Sequence, residues 1–206
     1  MPVAEIGDQR IRFSDTGGDG PPIMFCHDHL DDPGAFAAQV GDLADVYRVI
    51  TWDSRAATSP PADGDRFTYW DMASDLFGLL DVLGIERAVL VGAGQGADLS
   101  VRAALAHPDR VRALVLIDAC LPPKNEHPRL DRDDVTDRLT EISSLVLVVH
   151  GSDDADCPTV RAKWLAACVA DYRGIVEVAG AAAGSPRTHA PAVTGALREF
   201  LERLPA

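Results

Sequence analysis

The stretch Ala88 to Val101, AVLVGAGQGADLSV, decides how the rest of the chain is read. An apolar, partly β-branched run ends in clustered glycines and passes straight into a helical pattern, which describes a strand, a sharp turn and a helix. Glycines at 92, 94 and 96 let the turn be tight and let a backbone or ligand come close. Gly92, Gly94 and Ala97 also fit the dinucleotide spacing G-x-G-x-x-G/A, with Asp118 downstream as a ribose acceptor, which would make this an NAD(P)-binding protein. Against that reading, the fingerprint normally follows the first strand of its fold, and about four strand-like segments precede it here.

Working outward, 206 residues without a shift in composition suit one well-buried domain over 1–206. No apolar run approaches a membrane span, and Met1 to Gly7 lacks a basic-then-apolar leader pattern, so no membrane association is expected. A net charge of −13 excludes nucleic acid and anionic lipid as natural partners, because phosphate binding needs a basic face. The four cysteines, Cys26, Cys120, Cys157 and Cys168, form no C-x-x-C pair. They read as reduced thiols in a cytoplasmic protein.

The flanking segments alternate in type. Ala4 to Ile6 and Arg10 to Ser14 around Gly7-Asp8 read as an antiparallel hairpin. Strands follow at Ile23 to Cys26, Tyr47 to Trp52, Ala88 to Val91, Val111 to Ile117, Leu145 to Val149 and Gly174 to Val178. Helical patterns separate them near 33–43, 72–83, 95–106, 133–142 and 159–170, and one more closes the chain at about 190–204. This alternation predicts an α/β fold, a mostly parallel central sheet of about eight strands with helices on both faces. Ligands of such sheets bind outside the carboxyl ends of the strands.

Across nearly its whole length the chain resembles the α/β-hydrolase superfamily. Gly92-Ala93-Gly94-Gln95-Gly96 is similar to the nucleophile elbow G-x-S-x-G with glycine in place of serine. The segment D-T-G-G-D-G-P-P before the strand ending at His27 is similar to the family's opening, and Trp52-Asp53-Ser54-Arg55 to its D-x-R-G. His107-Pro108-Asp109-Arg110-Val111 resembles the link into the next strand. Gly151, Asp154 and Pro158 match the spacing around the triad acid, and 196–201, ALREFL, resembles the closing helix.

The departures carry the functional expectation. The resemblance places Gly94 at the nucleophile and, counting back from ALREFL, Ala183 at the triad histidine, so both triad positions are vacant and only Asp154 remains, with Asp153 beside it. Where the family has His-Gly, this chain has His27-Asp28, a carboxylate beside a site meant for a developing negative charge. Only a short segment separates Asp118 from the strand at Leu145, so a reduced or absent lid and an open pocket are expected.

The groups left on the strand-end edge are His27, Asp28, His29, Asp118 and Asp154 as catalytic candidates, with Cys26, Asp53, Gln95 and His150 as ligand-binding ones. His27 or His29 oriented by an aspartate would suit a general base in a cofactor-free lyase, isomerase or cyclase acting on a small, partly apolar molecule. His27-x-His29 is a weak metal pattern, and neither metal nor cofactor is expected. Alternatively the chain is a catalytically dead relative that binds a ligand or a protein partner, a homodimer covering the open strand-end face among the options.

Overall fold

In a computed structural model, residues 1–28, 33–55, 67–121, 130–131 and 133–205 are described. Ten strands are present among them: β1 (Val3–Ile6), β2 (Gln9–Asp15), β3 (Pro22–Cys26), β4 (Arg48–Trp52), β5 (Phe67–Thr68), β6 (Ala88–Ala93), β7 (Val111–Ile117), β8 (Leu130–Asp131), β9 (Leu145–Gly151) and β10 (Tyr172–Val178). The α-helices are α1 (Ala37–Leu43), α2 (Tyr69–Val82), α3 (Gln95–Ala106), α4 (Thr159–Cys168), α5 (Ser185–Thr188) and α6 (Ala190–Glu202).

Eight strands form one sheet in the order β1-β2-β4-β3-β6-β7-β9-β10, antiparallel at the β1-β2-β4 edge and parallel from β4 onward. The continuous apolar runs have the reason expected of them: β6, buried along its whole length, sits mid-sheet with a helical layer on each face. On one face α2, α3 and α4 bury Leu76, Leu80, Leu99 and Leu165; on the other α1 and α6 bury Leu43, Leu197 and Phe200. Thr68 starts α2 with a capping box, its hydroxyl accepting from the Asp71 N–H while the Asp71 carboxylate accepts from the Thr68 N–H. Gly84, at φ +68°, stands just beyond the end of that helix.

Two local readings change. The helix expected at 133–142 is a 3-10 segment, Thr136–Glu141, and a two-stranded parallel sheet, β5 with β8, has no strong periodic signal because each strand is only two residues long. The segment between Asp118 and Leu145 lies partly outside the described residues, and so does the expectation of a reduced lid. No helix among the described residues is long and apolar enough to cross a membrane.

The reading of four reduced thiols is corrected for one pair. Cys120 and Cys157 are joined by a disulfide, with Cα atoms 5.7 Å apart, while Cys26 and Cys168 are free. Thirty-seven positions separate the partners in sequence, so no local spacing announces the bond; adjacency of the β7 and β9 ends creates it.

Candidate functional site

The site is built on the turn from β6 into α3. Gly94 has φ +54° and ψ −119°, a conformation that a side chain strains, and its N–H bonds the Ile117 carbonyl at 2.9 Å. Gly96 lets α3 cross the end of β3: a Cβ there would lie 1.9 Å from the Cys26 carbonyl oxygen. The turn therefore retains the sharp strand-to-helix geometry of an elbow although residue 94 has no side chain.

What fills the space over residue 94 is Asp28. A Cβ built on Gly94 would lie 2.1 Å from Asp28 Oδ2, and the same oxygen accepts the Gln95 backbone N–H at 2.9 Å. The carboxylate thus stands where an elbow side chain would project, at the positive end of α3. That placement also opposes the dinucleotide reading, because a pyrophosphate would have to share the helix start with a fixed negative charge.

The other candidates are engaged in holding the strand-end loops. Asp118, itself at φ +50°, accepts the Gly151 N–H at 3.2 Å and the Ser185 N–H at 2.9 Å, tying β7 to β9 and to the start of α5. Burial holds its carboxyl above the ordinary aspartate value, opposed by those N–H groups and by His150. Asp154 Oδ1 accepts the N–H groups of Asp156 and Cys157 at 3.0 and 2.9 Å, a local turn ahead of α4. Asp53 is buried in an ion pair with Arg12 at 2.8 Å. Ser152 bonds Asp153 at 2.7 Å, and the Asp153 N–H bonds the Ala181 carbonyl at 2.8 Å.

His27 and His150 are buried. His27 Nδ1 lies 2.7 Å from the Asp28 carbonyl and His150 Nε2 lies 2.7 Å from the Cys157 carbonyl. A carbonyl only accepts, so these nitrogens carry the hydrogens, and His27 Nε2 and His150 Nδ1 are left without a partner among the described residues. His29 lies outside the described residues. Cys26 is buried beneath the turn, its thiol pushed up to about 11 by burial, so it is a packing group rather than a nucleophile. Ala183 is exposed in the loop before α5, and His189 occupies the residue before α6 without a side-chain capping bond. Among the described residues no cluster of three or more potential ligands could hold a metal ion.

The structure thus gathers the Asp28 carboxylate, the Gln95 N–H and Gly94 at one point, and spends Asp118, Asp154 and His150 on the framework. The sequence places Asp28 near the elbow. That its carboxylate reaches into the seat of residue 94 has no local signal, since it depends on the register that sets Cys26 beside Gly92.

A family model described as alpha/beta hydrolase fold matches residues 21–160. An epoxide hydrolase of Caballeronia sordidicola is 41% identical over 100 residues, which cover 47% of this chain and 30% of that protein. A proline iminopeptidase of Neisseria gonorrhoeae is 34% identical over 130 residues, 59% of this chain and 40% of that protein. The matched stretch thus spans well under half the length of these curated relatives. Among solved structures, an enol-lactonase from Burkholderia xenovorans LB400 superposes with a TM-score of 0.86 at 20% identity, over 98% of this chain and 100% of that one. A thermophilic esterase from Thermogutta terrifontis gives 0.84 at 23% identity, over 95% and 94%.

Proposed function

The chain belongs to the alpha/beta hydrolase fold family, and from that premise we propose that it is not a working serine hydrolase but a small-molecule-binding member, with the Asp28 carboxylate as the group that meets the ligand. The observation that carries this reading is the carboxylate in the seat over Gly94, bonded to the Gln95 N–H. Acyl transfer needs that N–H free for an oxyanion; a carboxylate already on it fills the position and repels the charge that would develop there. Gly94 offers no atom to form an acyl intermediate, and Ala183 no atom to take a proton. A fixed carboxylate at the strand-end edge favours a neutral hydrogen-bond donor or a cation over an anion.

A second reading rests on the same group: the Asp28 carboxylate is a general base for a non-hydrolytic proton transfer. In either case the relatives' hydrolytic chemistry, named for an epoxide hydrolase and a peptidase, is not carried by this site.

The test is direct. A fluorophosphonate leaves no adduct detectable by mass spectrometry, and titration with benzamidine shifts the Gln95 amide resonance in the wild type but far less in Asp28→Asn. A stoichiometric fluorophosphonate adduct, or p-nitrophenyl acetate turnover at about 1 per second or faster, would overturn the proposal.

A further inference from the structure

A groove of about 780 Å3 lies at the opposite edge of the sheet, between the starts of β7, β9 and β10 and the last helix, α6. Its floor is apolar, made by Val111, Leu147 and Phe200, all buried. Its rim is cationic: Arg87, Arg112, Arg173 and Arg203 face one carboxylate, Glu199. Glu199 pairs with Arg203, and Asp171, just outside the lining, pairs with Arg173, which leaves Arg87 and Arg112 as two guanidinium groups without a carboxylate partner among the described residues, in a chain whose net charge is −13.

The fold's own contacts neutralise only part of that rim. Arg112 donates to the Pro205 carbonyl, a neutral acceptor, and Arg87 has no partner among the described residues. Arg203 pairs with Glu199 at 2.7 Å one helical turn away, but both side chains are largely exposed, which makes the pair weak. Arg173 pairs with Asp171, outside the groove's lining. Cations collected at one concave place on an acidic protein are a departure from its general surface, and the guanidinium fork matches a carboxylate in shape as well as charge. The volume falls within the roughly 300–1,000 Å3 range of small-molecule sites.

We propose that this groove binds an amphiphilic carboxylate, its acyl or aryl body on the Leu147 and Phe200 floor and its head on the guanidinium rim, with Arg87 and Arg112 the chief contacts. The site is separate from the elbow and does not depend on the function proposed there.

Dodecanoate, below its micellar concentration, is the probe, with dodecanol and dodecylammonium as matched tails bearing neutral and cationic heads. Calorimetry on the full chain is expected to give one-to-one binding of dodecanoate and roughly tenfold weaker binding of the other two. The double variant Arg87→Gln, Arg112→Gln is expected to weaken dodecanoate roughly tenfold, the interaction fading with added salt, while Asp28→Ala leaves it unchanged. Should the Arg112 change loosen the chain end, Arg87→Glu, at a side chain with no structural partner among the described residues, gives the same test in an intact fold. Equal binding of the three amphiphiles, dodecanoate affinity indifferent to Arg87→Glu, or no dodecanoate binding at all would overturn it.

Discussion

Adding a single methyl group at residue 94 tests the arrangement of the elbow. In Gly94→Ala two costs arise. The backbone at φ +54°, ψ −119° strains any residue with a Cβ, by about 1–3 kcal/mol. The new Cβ also lies 2.1 Å from Asp28 Oδ2 and 3.1 Å from its Cγ, so the carboxylate must leave, giving up the 2.9 Å bond from the Gln95 N–H. A hydrogen bond to a charged acceptor contributes about 1.5–3 kcal/mol, bringing the expected loss to about 2.5–6 kcal/mol. Asp28→Ala removes both clashing atoms and leaves only the Asp28 Cβ, at an ordinary 3.4 Å. In that background Gly94→Ala costs the backbone strain alone. A double-mutant cycle by urea unfolding should therefore show the two changes compensating by about 1.5–3 kcal/mol. Strictly additive effects, with coupling below about 0.5 kcal/mol, would show that the carboxylate does not occupy this position.

Three further outcomes follow from the framework. Asp118→Asn turns an acceptor of two N–H groups into one whose amide faces either the Gly151 or the Ser185 donor, so unfolding free energy should drop by about 2 kcal/mol, read from the urea midpoint. Arg55 holds the buried Asp75 carboxylate through two bonds of 2.6 and 2.7 Å, yet burial still keeps that carboxyl above the ordinary aspartate value. The folded state therefore holds the Asp75 proton more tightly than the unfolded chain, and this group's contribution to stability falls as pH rises through the raised value. Arg55→Gln, which removes the opposing cation, should cost about 3 kcal/mol at pH 7 and progressively less as pH falls through the raised Asp75 value and the carboxyl takes up its proton, as equilibrium unfolding over a pH series will show. Replacing Cys120 and Cys157 by serine opens a loop with a separation of 37 residues, and should lower stability by about 4 kcal/mol in non-reducing buffer while leaving the parent protein in reducing buffer similarly weakened.

The chain's own periodicity determined the architecture. Runs such as Val111 to Ile117 are apolar on both faces because they lie between two helical layers, and that property is visible in any buried strand before its neighbours are known. The glycines around 94 likewise declared the sharp turn, since only residues without a Cβ allow α3 to cross the end of β3 so closely. Tertiary structure decided the fate of each polar group on the edge. Asp118, Asp154 and His150 look alike in sequence, as polar residues at or just past strand ends, yet Asp154 closes a local turn onto Asp156 and Cys157 and His150 meets the Cys157 carbonyl of the same loop, while Asp118 is spent on the Ser185 N–H that only folding brings to it. Cys120 meets Cys157, and the four arginines share one groove, for the same reason: these are contacts between residues distant in the chain, and local pattern carries no record of which ends the sheet order will place together.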